Sequence, residues 1–240
     1  MSPKISQTLF FLFIFISSQA ILQSKMPHAS EPKHNYYTHI RRDILPFIDQ
    51  SQYNDVLEIG CGQGLTLKYL QDHDLAQTTY GIELDPHQSQ IAQHNVDHII
   101  QGDIETLPLP ITKFDLILLL DVLEHLHNPQ QLLTKLKSHL TRQGIILISV
   151  PNIQHISVLK QLLTGRWDYT NSGIMDRTHV HLFTRKTIIE MITQTGYQIQ
   201  DIRYNGGFLP GYKSLLNFIS GNRLRQWFIS QWLIKAVLNN

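Results

Sequence analysis

The sequence predicts an α/β fold, doubly wound, with a mostly parallel sheet covered by helices on both faces. Three observations predict it. Short apolar runs alternate with helical patterns from Asp55 to Tyr204. One run, Phe114–Leu120 (FDLILLL), is apolar on both faces, as a central parallel strand must be. The first run, Asp55–Ile59, ends in the cluster Gly60-Cys61-Gly62-Gln63-Gly64 and is followed by a helical pattern over Leu65–Leu70. Glycine there permits positive φ and close approach of a ligand, and the free amides of a helix start face that ligand.

Taken in order, Tyr36–Ile48 places apolar residues at Ile40, Ile44, Leu45, Phe47 and Ile48, which suits an amphipathic helix interrupted near Pro46. It covers a sheet edge or acts as a lid through Tyr36, Tyr37 or His39. Beyond the glycines, Thr79–Glu83 is a strand and Pro86–Asn95 a helix with Asp85 as its N-cap. Ile99–Gln101 is a short strand closed by Gly102-Asp103. Pro129–Leu140 is a helix with Leu132, Leu133, Leu136 and Leu140 on its apolar side. Gly144–Val150 is a buried strand, and Ile153–Leu163 is helical. Thr187–Thr195 is a helix ended by Gly196, and Tyr197–Tyr204 is a strand.

The two ends of the chain are read differently. Residues 8–22 (TLFFLFIFISSQAIL) are apolar behind Lys4, but fewer than the roughly 20 residues that span a bilayer. Such a run is a secretion signal, a membrane anchor, or translated sequence ahead of a start at Met26; the last is preferred. Residues 1–26 are therefore set outside the fold, 27–35 are expected to be a disordered linker, and 36–240 to be one domain.

Composition excludes more than it selects. The chain has 240 residues, 20 basic against 19 acidic side chains, and a net charge of +1. No broad field favours nucleic acid. The 13 histidines lack metal-ligand spacing, so no metal site is expected. The single cysteine, Cys61, forms no intrachain disulfide, which fits a reducing, cytoplasmic setting.

Ligands of doubly wound sheets bind beyond the carboxyl ends of the strands. There the sequence places two carboxylates. Glu83 closes the second strand, about twenty residues after the glycines, where it can accept hydrogen bonds from the vicinal hydroxyls of a ribose. Asp103 closes the third, where it can accept from an adenine amino group while Ile104 packs on the ring. The glycine spacing G-x-G-x-G differs from the G-x-G-x-x-G of dinucleotide enzymes.

LEIGCGQG (57–64), GIELDP (81–86), QGDIETLPLP (101–110), FDLILLLDVLEHLHNP (114–129) and GIILISVPN (144–152) together resemble the class I S-adenosylmethionine-dependent methyltransferases. The resemblance covers roughly residues 36–204. It implies a Rossmann-like sheet of seven strands, one of them antiparallel. It also implies that Glu58, Gly60, Gly62 and Gly64 cradle the methionine part of the cofactor. By the same resemblance Glu83 holds the ribose, Asp103 and Ile104 the adenine, and Asp121 sits near the sulfonium and the acceptor. Cys61, common at this turn in the family, is read as small packing rather than a nucleophile.

Residues 152–184 form the acceptor-facing insert. Its stretch GRWDYTNSGIMDRTHVHLFT (165–184) resembles a subgroup associated with glycan and small-molecule O-methylation, and more distantly the quinone-biosynthesis enzymes. Trp167, Tyr169, Asp176 and Arg177 are the candidate acceptor contacts; Asp176 and Arg177 alternatively pair with each other. His125 and His179 are the candidate bases, with an intrinsic pKa of about 6.5. No clean set of oxygen ligands supports a metal-assisted reaction. Motifs of the DNA, RNA or protein methyltransferases are absent. A small-molecule or glycan acceptor follows; the competing class is a non-catalytic scaffold that binds the cofactor.

Two readings compete for the tail. Gln231–Leu238 is the missing seventh strand, preceded by the apolar stretch 215–219, or Asn222–Leu238 is a basic amphipathic helix on a membrane surface, with Arg223, Arg225 and Lys235 on its polar side. The strand is preferred.

Overall fold

The computed structural model describes residues 39–49, 52–109, 112–206 and 224–239. The expectations for the apolar run, the linker, Tyr36, Tyr37 and residues 215–219 lie outside them. Strands and helices alternate as β1 (Tyr53–Ile59), α1 (Leu65–Asp72), β2 (Ala76–Glu83), α2 (Pro86–Ala92), β3 (His98–Gln101), β4 (Phe114–Leu120), α3 (Pro129–Leu136), β5 (Leu140–Pro151), α4 (Ile156–Leu163), α5 (Arg185–Gln194), β6 (Tyr197–Gly206) and β7 (Ile229–Leu238).

The seven strands form one sheet of order β3-β2-β1-β4-β5-β7-β6. β1 pairs in parallel with β2 and β4, β2 with β3, and β4 with β5. β7 alone runs against its neighbours, β5 and β6. The strand order reverses between β1 and β4. Their carboxyl ends therefore border the crevice where ligands of such sheets bind. Alternation along β4 explains how the sheet is covered on both sides. Ile117 and Leu119 join one apolar layer with Leu133, Ile188 and Trp232. Leu116, Leu118 and Leu120 join the other with Leu67, Leu70 and Ala92.

The local signals hold in detail. The Asp85 carboxylate accepts from the amides of His87 (2.8 Å) and Gln88 (3.0 Å) at the start of α2. Thr184 and Thr187 form a reciprocal cap at the start of α5, and Gly196 takes φ +90° just past its end. The pattern of 129–140 stops as α-helix at Leu136 and continues as a 3-10 turn over Lys137–His139. α4 starts three residues later than expected, at Ile156.

One expectation is corrected, and the choice left open for the tail is decided. Residues 42–47 are a 3-10 helix rather than an amphipathic α-helix; Pro46 lies inside it, and Ile44 and Phe47 are its buried residues. The tail takes the preferred reading: 229–238 is a strand in the sheet interior, not a surface helix. Lys235, read as a polar-face charge, is buried and meets Asp49 and the carbonyl of Phe47. A charge satisfied by a distant partner had looked like the edge of an amphipathic surface. Among the described residues no helix is long and apolar enough to cross a membrane.

Candidate cofactor and acceptor site

β1 delivers the chain into three successive left-handed glycines, with φ of +71° at Gly60, +55° at Gly62 and +74° at Gly64. A side chain would also not fit. A Cβ on Gly60 would lie 3.0 Å from Val122, and one on Gly64 2.7 Å from Val96. The turn is pinned by amides: Gly60 and Cys61 donate to the carbonyl of Ile82 at 2.8 and 3.2 Å. Glu83, buried at the end of β2, accepts from the Gly62 amide at 2.8 Å through one oxygen and from the Asp85 amide at 2.9 Å through the other. Each oxygen keeps a further lone pair.

Cys61 is buried, and burial followed by the nearby Glu58 and Glu83 pushes its thiol up, so the sulfur stays protonated and unreactive. Its Sγ fills the space above Gly81, where a Cβ would lie 2.7 Å away.

Glu58 is buried on β1, and its Oε2 has no partner. Burial raises its carboxyl to about 8, against the opposing charge of Arg41 and with the added repulsion of Glu83. An orphaned acidic oxygen beside a glycine cradle is a receptor for a cationic or hydrogen-donating group. These features fit the amino-acid end of S-adenosylmethionine.

Asp103 is exposed at the end of β3, with its Oδ1 accepting the Glu105 amide at 2.9 Å. Ile104 beside it is buried in the apolar layer. Glu105 ties this loop to the start of α3 by accepting from the amides of His127 (3.0 Å) and Asn128 (2.7 Å).

Asp121 directly follows β4 with φ +59°, unusual for a residue bearing a side chain. Its carboxylate is fixed by Arg41 Nη1 at 2.8 Å, Ser149 Oγ at 2.9 Å and Gln231 Nε2. Arg41 also forks onto Asp43 through Nε and Nη2, both at 3.0 Å. Sequence reading missed Arg41, Ser149 and Gln231, because they come together only in the folded sheet.

The turn Leu123–His125 follows. The His125 and His179 rings meet edge to face, with centroids 4.8 Å apart. His125 Nδ1 lies 3.2 Å from the Thr178 carbonyl, and His179 Nδ1 lies 3.1 Å from the Ile174 carbonyl. Carbonyls only accept, which places a hydrogen on each Nδ1 and leaves the lone pair of each neutral ring on Nε2. Burial, then the neighbouring His125, holds His179 below its usual range. Glu124, also missed from the sequence, is fully buried beside them. One of its oxygens and a nitrogen of each ring lie within 4.8 Å of one another. The sequence announced no such trio of potential cation ligands.

The remaining insert residues are more dispersed. Asp176 Oδ1 accepts from the Thr178 amide (2.8 Å) and hydroxyl (2.7 Å), which orders the loop beneath His125. Arg177 is exposed, and among the described residues it forms no ion pair with Asp176. Trp167 and Tyr169 are exposed and pack edge to face at 6.4 Å. Among the described residues no ring contact joins them to His125 or His179.

Comparison with known proteins agrees with this architecture. A family described as a methyltransferase domain matches residues 32–202. The ubiquinone biosynthesis O-methyltransferase of Rickettsia canadensis is 29% identical over 168 residues, 64% of this chain and 68% of that protein. The solved S-adenosylmethionine-dependent methyltransferase of Archaeoglobus fulgidus superposes with a TM-score of 0.60 at 18% identity, over 86% of this chain and 94% of that one. A plantazolicin methyltransferase superposes at 0.56 with 23% identity, over 86% and 81%.

Fold and cradle define a class I methyltransferase. The chain belongs to the methyltransferase-domain family, and it is an enzyme whose cofactor is S-adenosylmethionine.

Proposed function

We propose that the chain methylates a hydroxyl oxygen on a small, ring-bearing acceptor of the phenol or catechol class. The observation that carries this reading is the His125–His179 pair, whose Nδ1 atoms are both tied to carbonyls. An imidazole that carries its hydrogen on Nδ1 and a lone pair on Nε2 suits removal of a hydroxyl proton. The relatives named ubiquinone biosynthesis O-methyltransferases support oxygen as the atom modified.

When bound, the cofactor supplies a methyl group already activated on a positively charged sulfur. The chain supplies position. Glu58 would receive the amino-acid ammonium on its unpartnered oxygen. Glu83 would receive ribose hydroxyls on the lone pairs left by Gly62 and Asp85. Asp103 and Ile104 would hold the adenine. Asp121, immobilised by Arg41, Ser149 and Gln231, marks the border with the acceptor. His125 or His179 takes the hydroxyl proton at Nε2, while Asp176 keeps the loop in place through Thr178.

A second reading, a glycan hydroxyl, rests on Trp167 and Tyr169, whose exposed ring faces offer stacking surfaces at the insert. Arg177 would then serve a charged sugar. The test is transfer of a labelled methyl group by the full chain to phenols, hydroxylated quinone precursors and oligosaccharides. The doubly substituted His125→Ala/His179→Ala protein should lose roughly 10²–10⁴-fold in kcat with a weakly acidic phenol. Methylation confined to nitrogen or carbon, or an undiminished kcat in the double variant, overturns the proposal.

A further inference from the structure

Two separate parts of the chain bring three ligating side chains together. Glu124 and His125 lie in the turn Leu123–His125 that follows β4, and His179 comes from the insert. One carboxylate oxygen and one nitrogen of each ring lie within 4.8 Å of one another. The backbones that carry them are tied together as well. The Glu124 carbonyl accepts from the amides of Val180 (2.8 Å) and His181 (3.0 Å), which holds the insert against the turn. Glu124 is fully buried, and neither of its carboxylate oxygens has a hydrogen-bond partner among the described residues. A buried polar group in that condition costs about 1–3 kcal/mol, and an ionised one more. Arg41, the guanidinium of this region, is forked between Asp43 and Asp121.

The two rings are held as ligand rings are held. A metal-binding imidazole characteristically donates its other ring N–H to a carbonyl or carboxylate, which fixes the ring and its tautomer. His125 Nδ1 lies 3.2 Å from the Thr178 carbonyl and His179 Nδ1 3.1 Å from the Ile174 carbonyl, which leaves both Nε2 lone pairs for a cation. Both histidines are half-buried, so a cation has a way in, with the carboxylate at the floor. The neighbouring acids are committed elsewhere: Asp121 to Arg41, Ser149 and Gln231, and Asp176 to Thr178. The donor set is therefore two imidazole nitrogens and one carboxylate oxygen. Magnesium and calcium take oxygen ligands, whereas this set suits zinc and its neighbours. Zinc bonds of about 2.0–2.2 Å put tetrahedral ligands roughly 3.4 Å apart, so the three side chains close inward on the cation.

We infer that Glu124, His125 and His179 form a binding site for a divalent cation of the zinc class, and that this cation competes with the acceptor's proton for the imidazole lone pairs. The binding needs neither cofactor nor acceptor. The competition rests on the reading of His125 or His179 as the base. A loaded site ties the insert to the β4 turn through three metal–ligand bonds, with a fourth position left to water. It also occupies the atoms that would take the hydroxyl proton, so the loaded enzyme is silent and removal of the cation frees it. Cys61, buried with its sulfur against Gly81, takes no part.

The test uses the full chain, freed of metal with a chelator, without cofactor or acceptor. Cobalt(II) is added first, because its visible spectrum reports geometry and ligand type. One equivalent should give the intense bands of a four-coordinate ion and no thiolate band, and zinc should displace it one for one. His179→Ala and Glu124→Gln should each weaken zinc by at least roughly tenfold. His127→Ala, at an exposed histidine outside the trio, should leave it unchanged. Binding that survives both His179→Ala and Glu124→Gln belongs to scattered surface histidines and overturns the proposal. So does a six-coordinate cobalt spectrum, or no binding at micromolar zinc. If Glu124→Gln does not fold, the half-buried positions decide through His125→Ala and His179→Ala. With S-adenosylmethionine and a phenol that the chain methylates, the zinc-loaded protein should turn over at least roughly tenfold more slowly than the metal-free protein, and chelator should restore the rate. An unslowed rate with the trio occupied would overturn the competition, and with it the imidazole base, while the site stands. Failure to methylate any phenol would overturn the acceptor reading and leave the metal titration to decide the site.

Discussion

Arg41 and Asp121 are 80 positions apart in the chain and 2.8 Å apart in space. Their contact joins the segment before the sheet to the end of β4. Asp43 extends it to β6 through Asn205 Nδ2 at 2.7 Å, and Arg41 reaches Ser149 on β5 at 3.1 Å. Replacing Arg41 with Ala leaves two largely buried carboxylates without their cation. The expected loss is about 2–4 kcal/mol in urea unfolding, reduced from fully buried values because Asp43 and Asp121 retain some exposure. Lys at 41 should recover only part of it, since a point charge cannot fork onto Asp43. Equal stability of wild type and Arg41→Ala would show that the network carries no net stability.

Glu58 sets a dependence on pH. Its carboxyl binds a proton more tightly folded, at about 8, than at its ordinary value of 4.5. The stability it contributes is therefore complete below pH 4.5 and is lost as pH rises through 8. The full span is roughly 3–5 kcal/mol. Glu58→Gln should flatten this slope in the ligand-free protein. Thermal unfolding should also show S-adenosylmethionine stabilising wild type more at pH 8 than at pH 6, with the pH difference gone in the variant. A slope unchanged by the substitution would assign it to another group.

Asp43 works in the opposite direction. Burial would raise it, but hydrogen bonds from Arg41 and Asn205 and the Arg41 charge win and hold it below its usual value. That stabilisation is present above about pH 4 and fades as pH falls through the lowered value. Asp43→Asn should be less stable than wild type at pH 7 and should approach it in acid. A constant difference across that range would exclude the linkage.

Gly64→Ala combines a left-handed backbone with a contact 2.7 Å from Val96. It should cost about 2–4 kcal/mol and weaken the cofactor. Adding Val96→Ala should relieve the contact but not the φ strain, so the pair should be coupled in a double-mutant cycle. Strict additivity would show that Val96 moves aside freely.

Asp103→Ala should weaken S-adenosylmethionine by about 1–3 kcal/mol if its carboxylate bonds the adenine. Calorimetric titration measures it, and unchanged affinity rejects the role.

What was legible depended on distance along the chain. The cradle was legible because strand, glycines and helix are contiguous, and β4 because both its faces are apolar. Glu83 and Asp103 were expected at strand ends, and they stand at the ends of β2 and β3. Arg41 was hidden inside a stretch whose apolar spacing suggested an ordinary helix; its partners lie on β4, β5 and β7. Glu124 was hidden for a related reason. Nothing in Asp121-Val122-Leu123-Glu124-His125 tells which side chain turns inward, since that is decided by the insert folding back onto the turn. Lys235 kept the competing helix reading open because its ion pair with Asp49 spans most of the sequence.

The position of β7 bears on how the protein is made. Among the described residues β6 pairs only with β7, which itself pairs with β5. Residues 197–206 are made before their described sheet partner, so that pairing waits until 229–238 follow. Gln231, which helps fix Asp121, arrives with that last strand. The last strand of the chain thus stands between two strands made before it, and Asp121 waits for one of its partners until the chain is nearly complete.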